Sequence, residues 1–138
     1  MRSFCNQMNA ATCLLEHVDI SENKINDDCE RELADALGSK SLKRMILKGN
    51  VLFAAGKAIY NAVLANPNVT HVDLQTNFID INIIYALDRV LQEHRDEIVR
   101  QVAPLLSAEK EDITRHHVLH WTQTQKAIKN AKMTLFLD

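Results

Sequence analysis

The chain is predicted to be α/β: a short solenoid of three strand-turn-helix units whose strands form one parallel sheet. Two observations predict it. A phrase returns three times at a spacing of 27 residues. It reads L-x-x-V-D-I-x-x-N-x-I from Leu15 to Ile25, L-x-x-M-I-L-x-x-N-x-L from Leu42 to Leu52, and V-x-x-V-D-L-x-x-N-x-I from Val69 to Ile79. A helical spacing of apolar residues then recurs at the same interval, as Leu33, Ala36 and Leu37, as Tyr60, Val63 and Leu64, and as Leu87, Val90 and Leu91. A fixed period of this size marks stacked units, each too small to bury its apolar face alone.

Residues 1–13 do not match the repeat. Ser3 suits the cap of a short helix with Phe4, Met8 and Ala11 on one face, so this segment reads as an N-terminal cap. Residues 14–92 hold the three units. Leu15, Val18 and Ile20 begin three apart and then alternate, as a short strand entered through a bend does. Asn23, Asn50 and Asn77 stand at the bend after each strand. Backbone groups there leave the sheet ladder, and an amide side chain, both donor and acceptor, can pair with them. These asparagines are therefore expected to be structural.

After Ile79 the pattern is helical and outruns the repeat, with Ile83, Leu87, Val90, Leu91, Ile98 and Val102 on one stripe. A fourth phrase would need asparagine at position 104, where Pro104 stands. The proline is expected to end this helix. A second helix is expected from about Ser107, an apt N-cap, with Glu109, Glu111 and Asp112 in its first turn. Its stripe runs through Ile113, His117, Trp121, Thr124, Ile128 and Ala131. Residues 93–138 thus read as a C-terminal helical hairpin cap with an apolar tail from Met133. Met1 and this cap favour a whole protein over a fragment.

The bulk composition agrees with a globular chain. Its 138 residues suffice for one domain with a core, and 46% hydrophobic and 25% charged residues are ordinary values. A formal charge of -2 argues against nucleic acid as a partner. No apolar run approaches the ~18 residues that span a bilayer, and residues 1–13 lack the apolar core of a secretory signal, so no membrane association is expected. Cys5, Cys13 and Cys29 are odd in number and lack C-x-x-C spacing, which reads as a reduced, cytoplasmic protein. Asn68-Val69-Thr70 matches a glycosylation sequon, read as chance in that compartment.

The three phrases resemble leucine-rich repeats of the ribonuclease-inhibitor type, whose helix-bearing units run about 28 residues. NOD-like receptors, tropomodulins and Ran GTPase-activating proteins carry similar units. The resemblance covers about residues 14–92 and implies the fold more than a function. One departure is glycine early in the helical segment: Gly56 holds that place in the second unit, while Cys29 and Ile83 hold it in the others. Cys29 therefore reads as a small buried filler and not as a nucleophile.

The resemblance also implies that the inner face of the strands is the binding surface. Alternation places His17, Arg44 and His71 in one row, Asp19, Ile46 and Asp73 in the next, and Ser21, Lys48 and Gln75 in a third. His17, Asp19, Arg44, Ile46, Lys48, His71 and Asp73 are the candidate partner-binding residues. Their mixed charge suits recognition of a protein, and the competing reading is a solvated sheet with local ion pairs. His116 and His120 are four apart on one helix face, with His117 between them and Asp112 one turn earlier, a spacing that could hold a metal. The competing reading is a set of helix-surface histidines, and no metal or cofactor is assigned.

No Gly-rich phosphate loop, G-x-S-x-G or C-x-x-C is present. The likeness to Ran GTPase-activating proteins is one of fold and assigns no functional arginine here. The leading expectation is a non-enzymatic protein-interaction module using the concave strand face. The second is a homo-oligomer assembled through the C-terminal helices and tail. The third, a metal-binding or enzymatic protein, rests on the histidine cluster alone.

Overall fold

A computed structural model describes Gln7 and residues 13–137, the side chains of residue 109 and residues 131–137 excepted. The expected N-terminal cap over residues 1–13 lies almost wholly outside the described residues. Three strands, β1 (His17–Asp19), β2 (Arg44–Ile46) and β3 (His71–Asp73), form a parallel sheet in the order β1-β2-β3. Between them run a 3-10 turn over Asp27–Cys29 and helix α1 (Glu30–Leu37), then helix α2 (Gly56–Ala65), and after β3 helix α3 (Ile81–Leu137). This is a short fold of leucine-rich-repeat kind. The chain divides into two compact units, Met1–Glu97 and Ile98–Asp138.

The repeat period appears directly in the sheet register. His17 pairs with Arg44 and Arg44 with His71; Val18, Met45 and Val72 align, as do Asp19, Ile46 and Asp73. The central residue of each strand points into the core, where Met45 is fully buried and Val18 and Val72 nearly so. Leu33, Leu37, Leu42, Leu47, Leu52, Ile59, Leu87 and Leu91 complete that core, each at 2% exposure or less. Burying one such side chain stabilises the fold by about 1.5–3 kcal/mol relative to leaving it in water.

The bends after the strands share one backbone feature, and the first adds a second left-handed residue, Lys24 at φ 55°. The residue before each asparagine has positive φ: Glu22 at 56°, Gly49 at 70° and Thr76 at 57°. Only glycine adopts that conformation without steric cost, so the first and third bends are strained. Asn50 holds its bend with four hydrogen bonds. Its Oδ1 accepts from the Asn23 and Ile25 amides, both at 3.0 Å, and its Nδ2 donates to the Ile20 carbonyl at 3.0 Å and the Leu47 carbonyl at 2.8 Å. Asn77 accepts from the Leu52 amide at 3.1 Å and donates to the Leu47 carbonyl at 2.9 Å and the Leu74 carbonyl at 3.1 Å. Asn23 is exposed and donates to the Ser21 carbonyl at 2.8 Å.

Two expectations need correction. Leu64, placed in the core by the 27-residue spacing, is 53% exposed. Helix α2 buries Gly56, Ile59 and Val63 instead. A Cβ at Gly56 would come within 2.6 Å of Ile79, so the glycine lets the helix sit against Ile79 on that face. Leu64, about 100° further round, then faces outward.

The second correction concerns the C-terminal hairpin. Pro104 does not end a helix, and Ser107 does not begin one, because both lie inside α3, a single helix of 57 residues. Proline removes one amide donor and crowds the carbonyl four residues earlier, at a cost of about 3 kcal/mol. Helix-forming sequence on both sides absorbs that cost, and the Pro104 site is exposed, so the freed carbonyl can meet water. Among the described residues, no helix is long and apolar enough to cross a membrane.

Candidate interaction surface

The sheet brings together residues that are 27 and 54 positions apart in sequence. His17, Arg44 and His71 form one row across the three strands, and Asp19, Ile46 and Asp73 form the next. His17, Asp19, Arg44 and Lys48 are exposed, whereas Ile46, His71 and Asp73 are half-buried. Beyond the strands the ladder continues through the Glu22 amide to the Lys48 carbonyl at 2.9 Å and the Gly49 amide to the Gln75 carbonyl at 2.9 Å. The third row, Ser21, Lys48 and Gln75, is thereby held level with the first two. His17, Val18, Asp19, Arg44 and Ile46 line a shallow depression of about 220 Å³.

The two aspartates brace the scaffold as well as facing outward. Asp19 accepts from the Ser21 hydroxyl at 2.6 Å and the Ser21 amide at 3.0 Å, and these bonds hold its carboxyl below the usual range. Asp73 accepts from the Gln75 amide at 3.0 Å in the same manner. Ile46 occupies the equivalent place on β2 without any such bond to offer. The face is therefore an apolar centre between two oriented carboxylates, with Arg44 on its own strand and Lys48 two residues beyond it.

His71 sits at a junction. With Asp73 and Gln75 from the β3 segment and Ile84, Leu87 and Asp88 from α3, it lines a groove of about 270 Å³. Burial pushes the His71 pKa down, Arg44 adds to the effect, and Asp73 opposes it. The imidazole is thus neutral at pH 7 and carries a donor and an acceptor rather than a charge. At the opposite corner Lys43 and Glu16 form an exposed ion pair at 2.7 Å. That pair lowers the Glu16 carboxyl chiefly through its hydrogen bond.

Several supporting residues lie outside the repeated phrase. Asp27 spans from one unit to the next: its carboxylate accepts from the amides of Phe53, Ala54 and Ala55 at 2.9, 3.0 and 2.9 Å. It thereby caps the turn entering α2, and those three bonds lower its pKa. Asn66, 7% exposed, donates to the Leu37 and Ser39 carbonyls at 2.7 and 2.9 Å. Its position 27 residues after Ser39, also buried, is a signal that could have found it. Arg95 donates to the Thr70 carbonyl at 2.7 Å and the His94 ring meets the Val69 carbonyl at 2.8 Å, which ties α3 to the start of β3.

The histidine cluster lies elsewhere. His116, His117 and His120 are exposed on α3 and, with Asp112 and Ile113, line an open depression of about 480 Å³. Among the described residues, no group of three or more histidine, cysteine or acidic side chains is placed to hold a metal ion. Cys13 and Cys29 are half-buried and pack against the core.

No family model matches the sequence, and no curated protein matches it at a significant level. Solved structures do match the fold. One is described as "Leiomodin-1 Actin-Binding Site 2 (ABS2)": it shares 12% identity, covers 76% of this chain and 78% of its own, and has a TM-score of 0.58. Another is a tropomodulin C-terminal domain from Caenorhabditis elegans, with 12% identity, 73% of this chain and 97% of its own covered, and a TM-score of 0.40. The resemblance to the ribonuclease-inhibitor subfamily is therefore corrected: the repeats are leucine-rich-repeat-like, and the chain's fold is similar to that of the leiomodin domain.

Proposed function

We propose that this chain is a non-enzymatic protein-interaction module that binds its partner through the strand face. His17, Asp19, Arg44, Ile46, Lys48, His71 and Asp73 would make the contacts, with Asn23, Asn50 and Asn77 shaping the bends beneath them. The observation that carries the reading is the sheet register, which assembles an apolar residue, two carboxylates and the Arg44 cation from three separate repeats on one face, with Lys48 continuing the ladder beyond β2. Electrostatic complementarity of that kind favours selective recognition more than raw affinity. The functional division is a cap over 1–13, repeats over 14–92, and a helical segment over 93–138. The fold's likeness to a domain described as an actin-binding site makes actin the first partner to assay.

The experiment pairs a partner assay with a charge swap. Labelled actin, monomeric and filamentous, is titrated with the chain and with the double variant Arg44→Glu, Asp73→Arg. Binding that weakens at least tenfold in the variant supports the strand face. Equal binding of the two proteins removes these residues from the site. If neither form of actin binds, actin falls as the partner, and affinity capture with the same pair of proteins becomes the measure of the face.

A further inference from the structure

On the part of α3 that lies in the second compact unit, the large apolar side chains have no cover. Ile98, Val102, Leu106, Ile113, Trp121 and Ile128 are each at least 39% exposed. At 3.6 residues per turn, Val102, Leu106, Ile113 and Ile128 fall on one face with Thr124, and Trp121 lies at its edge. Thr124, His117 and His120 are polar residues on that face, and Glu109 falls on it between the two apolar blocks. Arg100, Arg115, Lys126 and Lys129 all fall on the opposite face. The helix is thus amphipathic over its two apolar blocks, whose charges are turned away from the stripe, while the charged segment between the blocks interrupts it.

We propose that residues 98–128 form an antiparallel helix pair with the same residues of a second copy of this chain, with the dyad near Ile113. This surface is separate from the strand face and does not depend on its role. Three observations favour a second copy. The stripe is ~45 Å long at 1.5 Å per residue. Its six large side chains, each offering on the order of 100 Å² of apolar area, approach the ~800 Å² per partner of a stable interface. The two apolar blocks, 98–106 and 113–128, are uncharged along the stripe, so identical surfaces can meet without like charges facing each other.

The orientation follows from the segment between the blocks. Glu109-Lys110-Glu111-Asp112 carries three carboxylates and one ammonium. A parallel, in-register pair would lay this acidic segment against itself. An antiparallel pair about Ile113 lays it beside Thr114-Arg115-His116-His117 of the other copy, where the charge is positive or neutral. The same register sets Ile98 beside Ile128, Val102 beside Thr124 and Leu105 beside Trp121. A two-fold interface of this type is self-complementary and closes without leaving a free edge.

Trp121 is the one tryptophan in the sequence and is 66% exposed, so its emission reports on the stripe without a label. Sedimentation velocity and tryptophan emission are measured together through the micromolar range. The expected result is a mass that doubles with concentration while the emission moves to the blue. Ile113→Asp and, separately, Ile128→Asp should each weaken the dimer at least tenfold with unchanged far-UV circular dichroism. Benzoylphenylalanine at position 105 should cross-link to the neighbourhood of Trp121 in the other copy. A cross-link to the neighbourhood of residue 105 overturns the antiparallel arrangement. A monomer throughout, a blue shift without a mass change, an assembly larger than two, or a shift seen only with phosphatidylserine vesicles overturns the proposal.

Discussion

The repeat units and the distal helix treat their apolar side chains in opposite ways. From Val18 to Leu91 the large aliphatic residues of each unit pack against those of the next, and eleven of the largest side chains are essentially inaccessible. From Ile98 to Ile128 side chains of the same kinds stand in solvent. Composition does not separate the two regions, since both are rich in leucine, isoleucine and valine. Stacking does. A strand-turn-helix unit is covered by its neighbour at a fixed 27-residue offset, whereas the helix beyond residue 97 has no such neighbour in sequence. The repeats carry their own complement, and the helix stripe needs one from outside.

The largest expected effect breaks the repeat side of this comparison. Asn50→Ala removes four hydrogen bonds from a residue only 3% exposed, and leaves the Asn23 and Ile25 amides and the Ile20 carbonyl without that partner. At about 1–3 kcal/mol for each stranded buried group, the loss should reach about 3–5 kcal/mol in urea unfolding. Asn23→Ala removes one exposed bond and should cost less than about 1 kcal/mol. Equal losses for the two variants would mean that the bends are not held in the way the geometry implies.

A smaller effect sharpens the helix side. Pro104→Ala restores an amide donor inside α3 and relieves the clash with the preceding turn, worth up to about 3 kcal/mol to that segment. Local stability in a chain is not uniform, and a gain in an exposed helix need not reach a packed core. The expected outcome is greater far-UV helicity and slower amide exchange in residues 98–130, with the exchange of β1–β3 unchanged. Slower exchange that also spreads to the strands would show that the two regions unfold as one.

The same contrast explains what the sequence reveals and what it hides. The rows His17–Arg44–His71 and Asp19–Ile46–Asp73 are legible because the offset between strands is constant, so alignment of the phrases already states the register. The strain at Glu22 and Thr76 is hidden, since only Gly49 advertises a left-handed bend. The expected hairpin fails because a proline's local preference is about 3 kcal/mol, which a long run of helix formers on either side can outweigh. Asp27 was invisible for a different reason. Positions 54 and 81 hold alanine and isoleucine, so its inter-unit contact has no periodic counterpart.

Asp27 gives the smallest and most pH-specific expectation. Its carboxylate accepts three amides at the turn into α2, an arrangement that favours the ionised form and lowers its pKa. By linkage, a carboxyl depressed in the folded state contributes stability that is fully present above its unfolded pKa of about 3.9 and is lost as pH falls through the folded value. Asp27→Ala should therefore cost about 1–2 kcal/mol near neutral pH, the range for removing a helix-capping acceptor. The gap between the urea midpoints of the native protein and the variant should stay constant from pH 7 to about 5 and narrow below about 4. Asp27→Asn, which keeps one acceptor oxygen, should recover part of the stability and remove the pH dependence. A gap that is flat down to pH 3, or that widens with acid, would assign the stabilisation to packing instead of charge. In either case the effect should be confined to the repeats, because the three amides that Asp27 accepts all lie at the turn into α2.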